Sequence, residues 1–218
     1  MKAETGGRER VLIEARRLFL DRGYSEVSMQ QIADAVGMTK AALYYHFRDK
    51  DDLFASVVVR EMSQQRESIE REIEREDSLD RTVERIARLY FDQLSPDSLR
   101  MMTDFKSHVP ESRHEEVHAE LENFVTSITT LFNRAADRHE IRDIQPRMAA
   151  FLFFHTLVGY LINSVRDPQI TPASDPEAAA KLVASVVLHG IAAPGSKGGL
   201  TEAARYHEPA AASGGDTD

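Results

Sequence analysis

The chain has 218 residues, a length that supports one large domain or a small domain joined to a larger one. It contains no cysteine, which excludes disulfide bonds and thiolate metal sites, and its formal net charge of −9 argues as a whole against nucleic-acid binding. The charge is uneven, however, because residues 1–50 hold nine Lys or Arg against seven Asp or Glu, and residues 51–218 hold 18 against 29. A weakly basic N-terminal segment on an acidic body is compatible with DNA binding by that segment.

Apolar residues recur with helical spacing along almost the whole chain, and strand-like alternation is nearly absent. The sequence therefore predicts an all-α fold. The predicted helices span residues 6–22, 29–36, 40–47, 50–75, 79–94, 97–107, 112–138, 146–166 and 176–192. The longest apolar stretch, residues 149–162, is shorter than the roughly 20 residues of a membrane span. The N-terminus lacks a signal-peptide pattern, so we expect no membrane contact and a cytoplasmic location.

The most informative segment is residues 28–47, where two short helices are separated by a glycine. Ser28 can cap the first of them, and Gln31 three positions later completes a capping box. Gly37 permits the positive φ of a tight turn, and Thr39 can cap the second helix. This order of caps and turn predicts a helix-turn-helix, whose second helix is sized for the major groove of DNA.

The second of these helices has an unusual outer face. Leu43 and Phe47 form its inner face, so the residues directed outward are Lys40, Ala41, Tyr44, Tyr45 and His46. Hydroxyl, imidazole, ammonium and methyl groups suit hydrogen bonds to phosphate and contacts with thymine methyls. The alternative is that the tyrosines are packing residues of a small domain. Lys50 would lie in the first turn of the next helix, where free amides also favour a phosphate.

Residues 8–54 resemble the N-terminal DNA-binding domain of the TetR family of one-component transcriptional regulators. The motifs that carry the resemblance are Ala15-Arg16-Arg17-Leu18-Phe19, Gly23-Tyr24, residues 32–37, Leu43-Tyr44-Tyr45-His46-Phe47 and Lys50-Asp51-Asp52-Leu53. The resemblance implies a homodimer whose second region binds a small effector that weakens DNA binding. It implies DNA contacts from Ser28, Thr39, Lys40, Ala41, Tyr44, Tyr45, His46 and Lys50. Ala42 departs from the small polar residue or glycine that is frequent at its position.

The resemblance implies a division of the chain into a DNA-binding domain (1–50) and a ligand-binding and dimerisation domain (51–193). Residues 194–218 are rich in Gly, Ala and Ser, and we expect a disordered tail there. The predicted helix 146–166 is apolar nearly all round, and 176–192 has a broad apolar surface. We expect these two helices to face the domain core on one side and a second copy on the other, with Leu161 and Val187 at the interface. The alternative is a monomer with a thick core.

An effector pocket is expected between the DNA-binding domain and this interface. Its candidate lining residues are Tyr90, Phe105, His108, Phe124, Phe151, Phe154 and His155. Ordinary core packing is the alternative for most of them, and for His155 we favour a hydrogen-bonded core histidine. The many Phe side chains indicate a mostly apolar effector, with His155 or His108 supplying one hydrogen bond.

Two other classes of function remain in view. The chain has no Gly-rich phosphate loop, nucleophile elbow or cysteine nucleophile, so we do not expect an enzyme or a cofactor. His114 and His118 have i, i+4 spacing near His108, Glu111 and Glu115, but no third fixed metal ligand is evident. The favoured interpretation is a repressor released from a palindromic operator by its effector. The alternatives are a protein-binding helical adaptor without DNA activity and a metal-responsive regulator.

Overall fold

The computed structural model describes residues 2–75, 77–93, 96–166 and 175–191, and helices are the regular elements of these ranges. In chain order they are α1 (Lys2–Arg22), α2 (Met29–Val36), α3 (Lys40–His46), α4 (Lys50–Ile73), α5 (Leu79–Gln93), α6 (Pro96–His108), α7 (Glu115–Asp137), α8 (Pro146–Arg166) and α9 (Pro176–Ile191). The predicted all-α fold is confirmed. The predicted disordered tail, 194–218, lies outside the described residues.

Most predicted helix ends agree with the structure within two residues, and the exceptions are the starts of the predicted helices 112–138 and 6–22. A 3₁₀ turn, Glu111–Arg113, precedes α7, which begins at Glu115. The amide of Arg113 donates to the carbonyl oxygen of Pro110 at 2.8 Å, an i to i+3 bond that is too tight for an α-helix. The start of α1 also differs, because the helix reaches back to Lys2 instead of residue 6.

The N-terminal part of the molecule, which we call the head, consists of α1, α2, α3 and residues 50–58 of α4. Its core, the first cluster, is built around large side chains such as Phe19, Ile32 and Phe54, all nearly inaccessible to solvent. The same cluster includes four residues from later in the chain: Met101, Phe105, Val109 and Val117. The head therefore shares its core with α6 and with the beginning of α7.

The remaining helices and residues 59–73 of α4 form the body, which has its own core. This second cluster runs from Ile69 on α4 through α5, α7, α8 and α9. Packing is most extensive between α5 and α9, between α4 and α7, and between α7 and α8. Within the described ranges, no helix is long and apolar enough to cross a membrane.

The outer surface of α8 and α9 remains apolar and exposed in the protomer. We call this surface the α8–α9 face, and its members are Met148, Phe151, Leu152, Ile162, Leu182 and Val186. Leu161 and Val187 lie inside the second cluster, so the prediction that they face a partner is wrong. Each successive helical residue is rotated by about 100°, which turns Leu161 and Val187 inward while Ile162 and Val186 point outward.

Candidate nucleic-acid interface

Local hydrogen bonds fix both ends of α2. The amide of Gln31 donates to the Ser28 Oγ at 3.3 Å, and the amide of Ser28 donates to the Gln31 Oε1 at 2.8 Å, so the predicted capping box is confirmed. Gly37 ends the helix with φ of 68°, the left-handed conformation that glycine adopts without strain. The apolar side of α2, including Ile32 and Val36, is buried against the head core.

The position of α3 follows from its cap and two buried side chains. The amide of Ala42 donates to the Thr39 Oγ1 at 3.1 Å, which confirms Thr39 as the N-terminal cap. Leu43 is fully buried and Phe47 is nearly so. The guanidinium of Arg8 lies 5.1 Å from the centre of the Phe47 ring and covers it on the α1 side. The helix is thereby held with its opposite side directed away from the protein.

Four of the residues predicted to contact DNA share this open side of α3. Tyr45 is 77% exposed and Tyr44 is 44% exposed, and Lys40 and Ala41 are exposed beside them. The Lys40 Nζ lies 5.9 Å from the Tyr44 ring centre. His46 is half-buried, and its ring lies edge-on to Tyr45 with 5.3 Å between the ring centres. This surface can offer two phenol hydroxyls, an ammonium and a methyl group to one ligand.

The structure places Lys50 away from this open side. Its Nζ donates to the carbonyl oxygens of Tyr24 and Val27, each at 3.0 Å, and lies 4.0 Å from the Tyr24 ring centre. Partial burial lowers the pKa of Lys50. In this arrangement Lys50 ties the first turn of α4 to the loop between α1 and α2.

Arg48, between α3 and α4, is a cation that the sequence analysis did not single out. Its side chain is 73% exposed, and its Nη2 lies 3.4 Å from the Asp52 Oδ1. A long exposed guanidinium next to the end of α3 is well suited to bind phosphate. Arg48 directly follows the inward-facing Phe47 and precedes Asp49, the N-cap of α4. Because residues in such turns are usually exposed, the sequence alone could have indicated an accessible cation here.

Tyr24 joins the head to α6. Its hydroxyl donates to the Asp51 carboxylate, and its amide donates to the Asp104 Oδ2 at 3.2 Å. Burial and the hydrogen bond to Asp51 raise the pKa of Tyr24. The His108 ring packs on Tyr24 with 5.0 Å between ring centres, and its Nε2 lies 3.3 Å from the Ser25 Oγ. His108, a predicted effector residue, therefore lies at the contact between head and body.

The seven predicted effector-binding residues occupy three separate places. Tyr90, Phe124 and Phe154 converge in the second cluster, with 6.3 Å between the ring centres of Tyr90 and each of the others. Phe105 belongs to the first cluster, near the joint where His108 lies. The remaining two, Phe151 and His155, lie on the outer side of α8.

The expectation that His155 is a buried core histidine is wrong. The residue is exposed, and its ring stacks on that of Phe151 with 3.8 Å between ring centres. Its Nδ1 is 2.9 Å from the carbonyl oxygen of Phe151, one helical turn earlier. The backbone of α8 therefore supplies the hydrogen-bond partner that we expected from the core.

The described residues also contain a cavity of about 170 Å³ away from the predicted effector residues. It lies where the end of α4, the beginning of α5 and the end of α7 meet, and it is lined largely by polar and charged side chains such as Arg75, Asp77, Arg134 and Glu140. Among the described residues, no group of three or more His, Cys, Asp or Glu could hold a metal ion. His114, one of the histidines considered for metal binding, instead packs its ring on Phe105 at 4.6 Å.

Comparison with known proteins shows that the N-terminal segment of the chain is similar to bacterial regulatory proteins. The family model for bacterial regulatory proteins of the tetR family matches residues 11–57. The HTH-type transcriptional repressor BepR of Brucella suis is 43% identical over 58 residues, 27% of each chain, so the matching segment spans about a quarter of such curated relatives.

Two solved structures extend the similarity of fold to most of the chain. A protein of Mesorhizobium loti MAFF303099 described as a TetR-family regulator has a TM-score of 0.75 at 21% identity, with 87% of this chain and 98% of that chain covered. The transcriptional regulator FadR of Bacillus subtilis, in complex with stearoyl-CoA, has a TM-score of 0.71 at 17% identity, with 84% and 98% covered.

Proposed function

This chain belongs to the TetR family of bacterial regulatory proteins, and from that premise we propose that it is a transcriptional repressor which binds operator DNA through α3. It acts as a regulator and not as an enzyme, in keeping with the family. The DNA-binding domain is the head, and the body is the region that binds effector and partner. Operator DNA requires a cytoplasmic location.

The observation that carries this proposal is the open side of α3. Large aromatic side chains are usually covered, yet Tyr45 is 77% exposed on a helix that Leu43 and Phe47 hold rigidly in place. Inserted into the major groove, Lys40, Tyr44 and Tyr45 contact phosphates and base edges, and Ala41 meets a thymine methyl. Ser28, Thr39 and His46 flank this surface, and Arg48 adds a phosphate contact beyond the end of α3.

The homodimer is proposed from the α8–α9 face. Six large apolar side chains are exposed together on two adjacent helices, and a second copy related by two-fold symmetry would cover them with the same six. Two heads on such a dimer reach successive major grooves, roughly 34–36 Å apart or somewhat more. The operator is accordingly a partly palindromic sequence.

A mostly apolar effector is proposed to release the operator. The body holds Tyr90, Phe124 and Phe154 in contact and places few polar groups in the second cluster. FadR of Bacillus subtilis, which shares this fold, binds stearoyl-CoA, a ligand with a long apolar chain. Such an effector acts by favouring a spacing of the two heads that no longer fits the operator.

Selection of binding sites from random DNA with the full chain tests the proposed function. The expected result is enrichment of one partly palindromic sequence, to which the protein binds with an affinity that falls steeply as salt rises. Lys40→Ala should weaken binding to all sequences, whereas Ala41→Ser should change the preferred base at one step. A selection that enriches no sequence contradicts the proposal and favours the protein-binding adaptor.

A further inference from the structure

The turn between α3 and α4 lies at the end of the helix proposed to enter the major groove. It carries Arg48, the exposed cation assigned above to an operator phosphate, and Asp49, the N-terminal cap of α4. Phe47 anchors the turn on the α3 side, since its ring is almost fully buried in the first cluster. A contact that fixes the conformation of this turn therefore also fixes where the Arg48 guanidinium can meet DNA.

Two carboxylates hold the backbone within the turn. The amide of Asp52 donates to the Asp49 Oδ1 at 2.8 Å, and the amide of Arg48 donates to the Asp52 Oδ2 at 2.8 Å. The Arg48 Nη2 also lies 3.4 Å from the Asp52 Oδ1. The orientation of the Asp49 carboxylate is thus linked, through Asp52, to both the backbone and the side chain of Arg48.

Arg113 reaches this turn from the body. Its Nη2 donates to the Asp49 Oδ2 at 3.0 Å, across 64 residues of sequence. The Asp49 carboxylate therefore uses one oxygen to cap α4 and the other to accept from Arg113. The side chains of Arg113 and Asp49 are 30% and 44% exposed, and ion pairs that are this accessible contribute little to stability.

The backbone that carries Arg113 is fixed on both sides. The 3₁₀ turn Glu111–Arg113 comes two residues after Val109, which is buried in the first cluster. After the turn, the His114 ring packs on the buried Phe105 with 4.6 Å between ring centres, and its Nε2 lies 2.9 Å from the Val109 carbonyl oxygen. Arg113 therefore extends toward the α3–α4 turn from a firm base.

One nitrogen of Arg113 shows that this side chain is not placed for stability alone. Its Nη1 is buried and has no hydrogen-bond partner. A buried donor without an acceptor destabilises a folded protein, and an apolar side chain of similar length would fill the same space without that cost. An unsatisfied group of this kind is better explained by function, here by what Arg113 does to the turn.

We propose that Arg113 is a positioning residue for operator binding. It holds the Asp49 carboxylate, and through Asp49 and Asp52 it holds Arg48 in the orientation that meets a phosphate. Arg113 acts through Asp49 and needs no contact of its own with DNA. This inference rests on the proposed function, and it adds a residue of the body to the machinery by which the head binds its operator.

Fluorescence anisotropy on the selected operator, with the full chain, tests this role. Arg113→Gln should weaken operator binding about 10-fold, because a charge-assisted bond to phosphate is impaired in each head, and should lower the salt slope by up to about two for the dimer. Arg113→Lys keeps a cation within reach of Asp49 and should restore the affinity to within about threefold of wild type.

Arg100→Gln is the matched control. Arg100 donates to the carbonyl oxygen of Leu20, so it also joins the body to the head, but near the C-terminal end of α1. The control removes the same charge and one bond between body and head without touching the α3–α4 turn. Its operator affinity should stay within about twofold of wild type, which is below the effect of one hydrogen bond.

Asp49→Asn separates positioning from charge. Asparagine caps helices as well as aspartate does, but its amide has one acceptor oxygen and cannot both cap α4 and accept from Arg113. Loss of the negative charge alone would strengthen binding to a polyanion. Positioning predicts the opposite, a loss of about fivefold, and adding Arg113→Gln to Asp49→Asn should not weaken binding beyond Arg113→Gln alone by more than about twofold.

Two further measurements show whether Arg113 acts through the turn. Arg48→Ala should weaken operator binding about 10-fold in the wild type but less than about threefold in Arg113→Gln, where the guanidinium is already misplaced. In the free protein, the amides of Arg48 and Asp52 should exchange with solvent at least about threefold faster in Arg113→Gln. The amide of Ala42, which donates to the Thr39 cap, should exchange at the wild-type rate.

Four results overturn this role: wild-type operator affinity of Arg113→Gln, stronger operator binding by Asp49→Asn, full additivity of Arg48→Ala and Arg113→Gln, or unchanged exchange of the Arg48 and Asp52 amides. The first three are seen only if the wild type binds the selected operator, so they leave the repressor function standing. A selection that enriches no sequence is a different outcome, because it removes the proposed function and the positioning role with it.

Discussion

The head and the body differ in how much of their apolar surface a single chain can cover. In the head, the first cluster buries most of the large aliphatic and aromatic side chains and leaves Ile13 of α1 and the two tyrosines of α3 exposed. In the body, the second cluster is equally well buried, yet six large apolar side chains of the α8–α9 face remain exposed. The head is thus shaped to meet a polar ligand, whereas the body is shaped to meet another apolar surface.

The largest expected effect comes from a charge placed on the α8–α9 face. Val186 is 58% exposed in the protomer, so Val186→Glu should leave the protomer folded. In the dimer it would bury a carboxylate on each side of the two-fold axis. The loss of two apolar side chains, about 1.5 kcal/mol each, should raise the dissociation constant of the dimer at least about 100-fold. Sedimentation velocity at micromolar protein measures this change.

The control for this substitution lies on α7. Thr130 is exposed there, so Thr130→Glu adds the same charge away from the α8–α9 face. The control should sediment as a dimer and bind the operator as wild type does. If Val186→Glu sediments as a dimer too, the α8–α9 face is not the interface, and the contrast between head and body has another origin.

The next largest effect concerns the ion pairs of Arg66 with Glu120 and Glu70, which join α4 and α7. The pKa values of Glu120 and Glu70 are both below the ordinary value, so these carboxylates stabilise the fold above about pH 4.3 and lose that contribution as pH falls through their folded pKa values. Glu120→Gln should lower the free energy of unfolding at pH 7 by about 1.5–3 kcal/mol, because Arg66 loses a charged partner. Urea titrations from pH 7 to pH 3 should show this difference shrinking with acid.

Glu122→Gln is the matched control for this pH series. Glu122 is two residues further along α7, pairs with Arg147 and is 61% exposed at its side chain. An exposed pair contributes little to stability, so the control should follow the wild-type pH dependence. Equal pH dependence of the wild type and Glu120→Gln would show that the Arg66–Glu120 pair contributes no stability.

Much of the head could be predicted from its sequence because its signals are local. The capping box of Ser28 and Gln31, the positive φ of Gly37 and the Thr39 cap all depend on residues within one helical turn. The open side of α3 follows from the same spacing, since Leu43 and Phe47 fix which way the helix is turned. Proline residues similarly marked the starts of α6, α8 and α9 in the body.

The features that could not be predicted depend on contacts distant in sequence. Because α8 is apolar on nearly all sides, its periodicity did not distinguish the buried Leu161 from the exposed Ile162. The long side chain of Lys50 can reach either a phosphate or the Tyr24 carbonyl, and its spacing favours neither. Gln65 lies in a polar stretch of α4, and its spacing does not predict that its Nε2 is buried without a hydrogen-bond partner.

Lys50 and Arg48 provide a smaller test of how the head is built. The Lys50 Nζ donates hydrogen bonds to two carbonyl oxygens. Lys50→Met should therefore lower the free energy of unfolding by about 1–2 kcal/mol and leave the salt dependence of operator binding unchanged. Arg48→Ala should leave stability nearly unchanged and reduce the salt slope by about two for the dimer, one for each lost phosphate contact. A slope reduced by Lys50→Met instead would support the phosphate contact predicted from the sequence.

The smallest effect should come from one hydroxyl on α3. Tyr45→Phe keeps the ring and deletes an oxygen from a side chain that is 77% exposed, so the stability of the head should not change. A hydrogen bond to DNA predicts a loss of about 1 kcal/mol of operator binding per head, whereas a packing role predicts almost none. Tyr24→Phe is the opposite case, because its buried hydroxyl donates to Asp51, and its loss should lower stability more than operator affinity. Anisotropy titrations and urea unfolding on both variants separate the two roles, and equal operator affinity of Tyr45→Phe and wild type would exclude a hydrogen bond from Tyr45 to DNA.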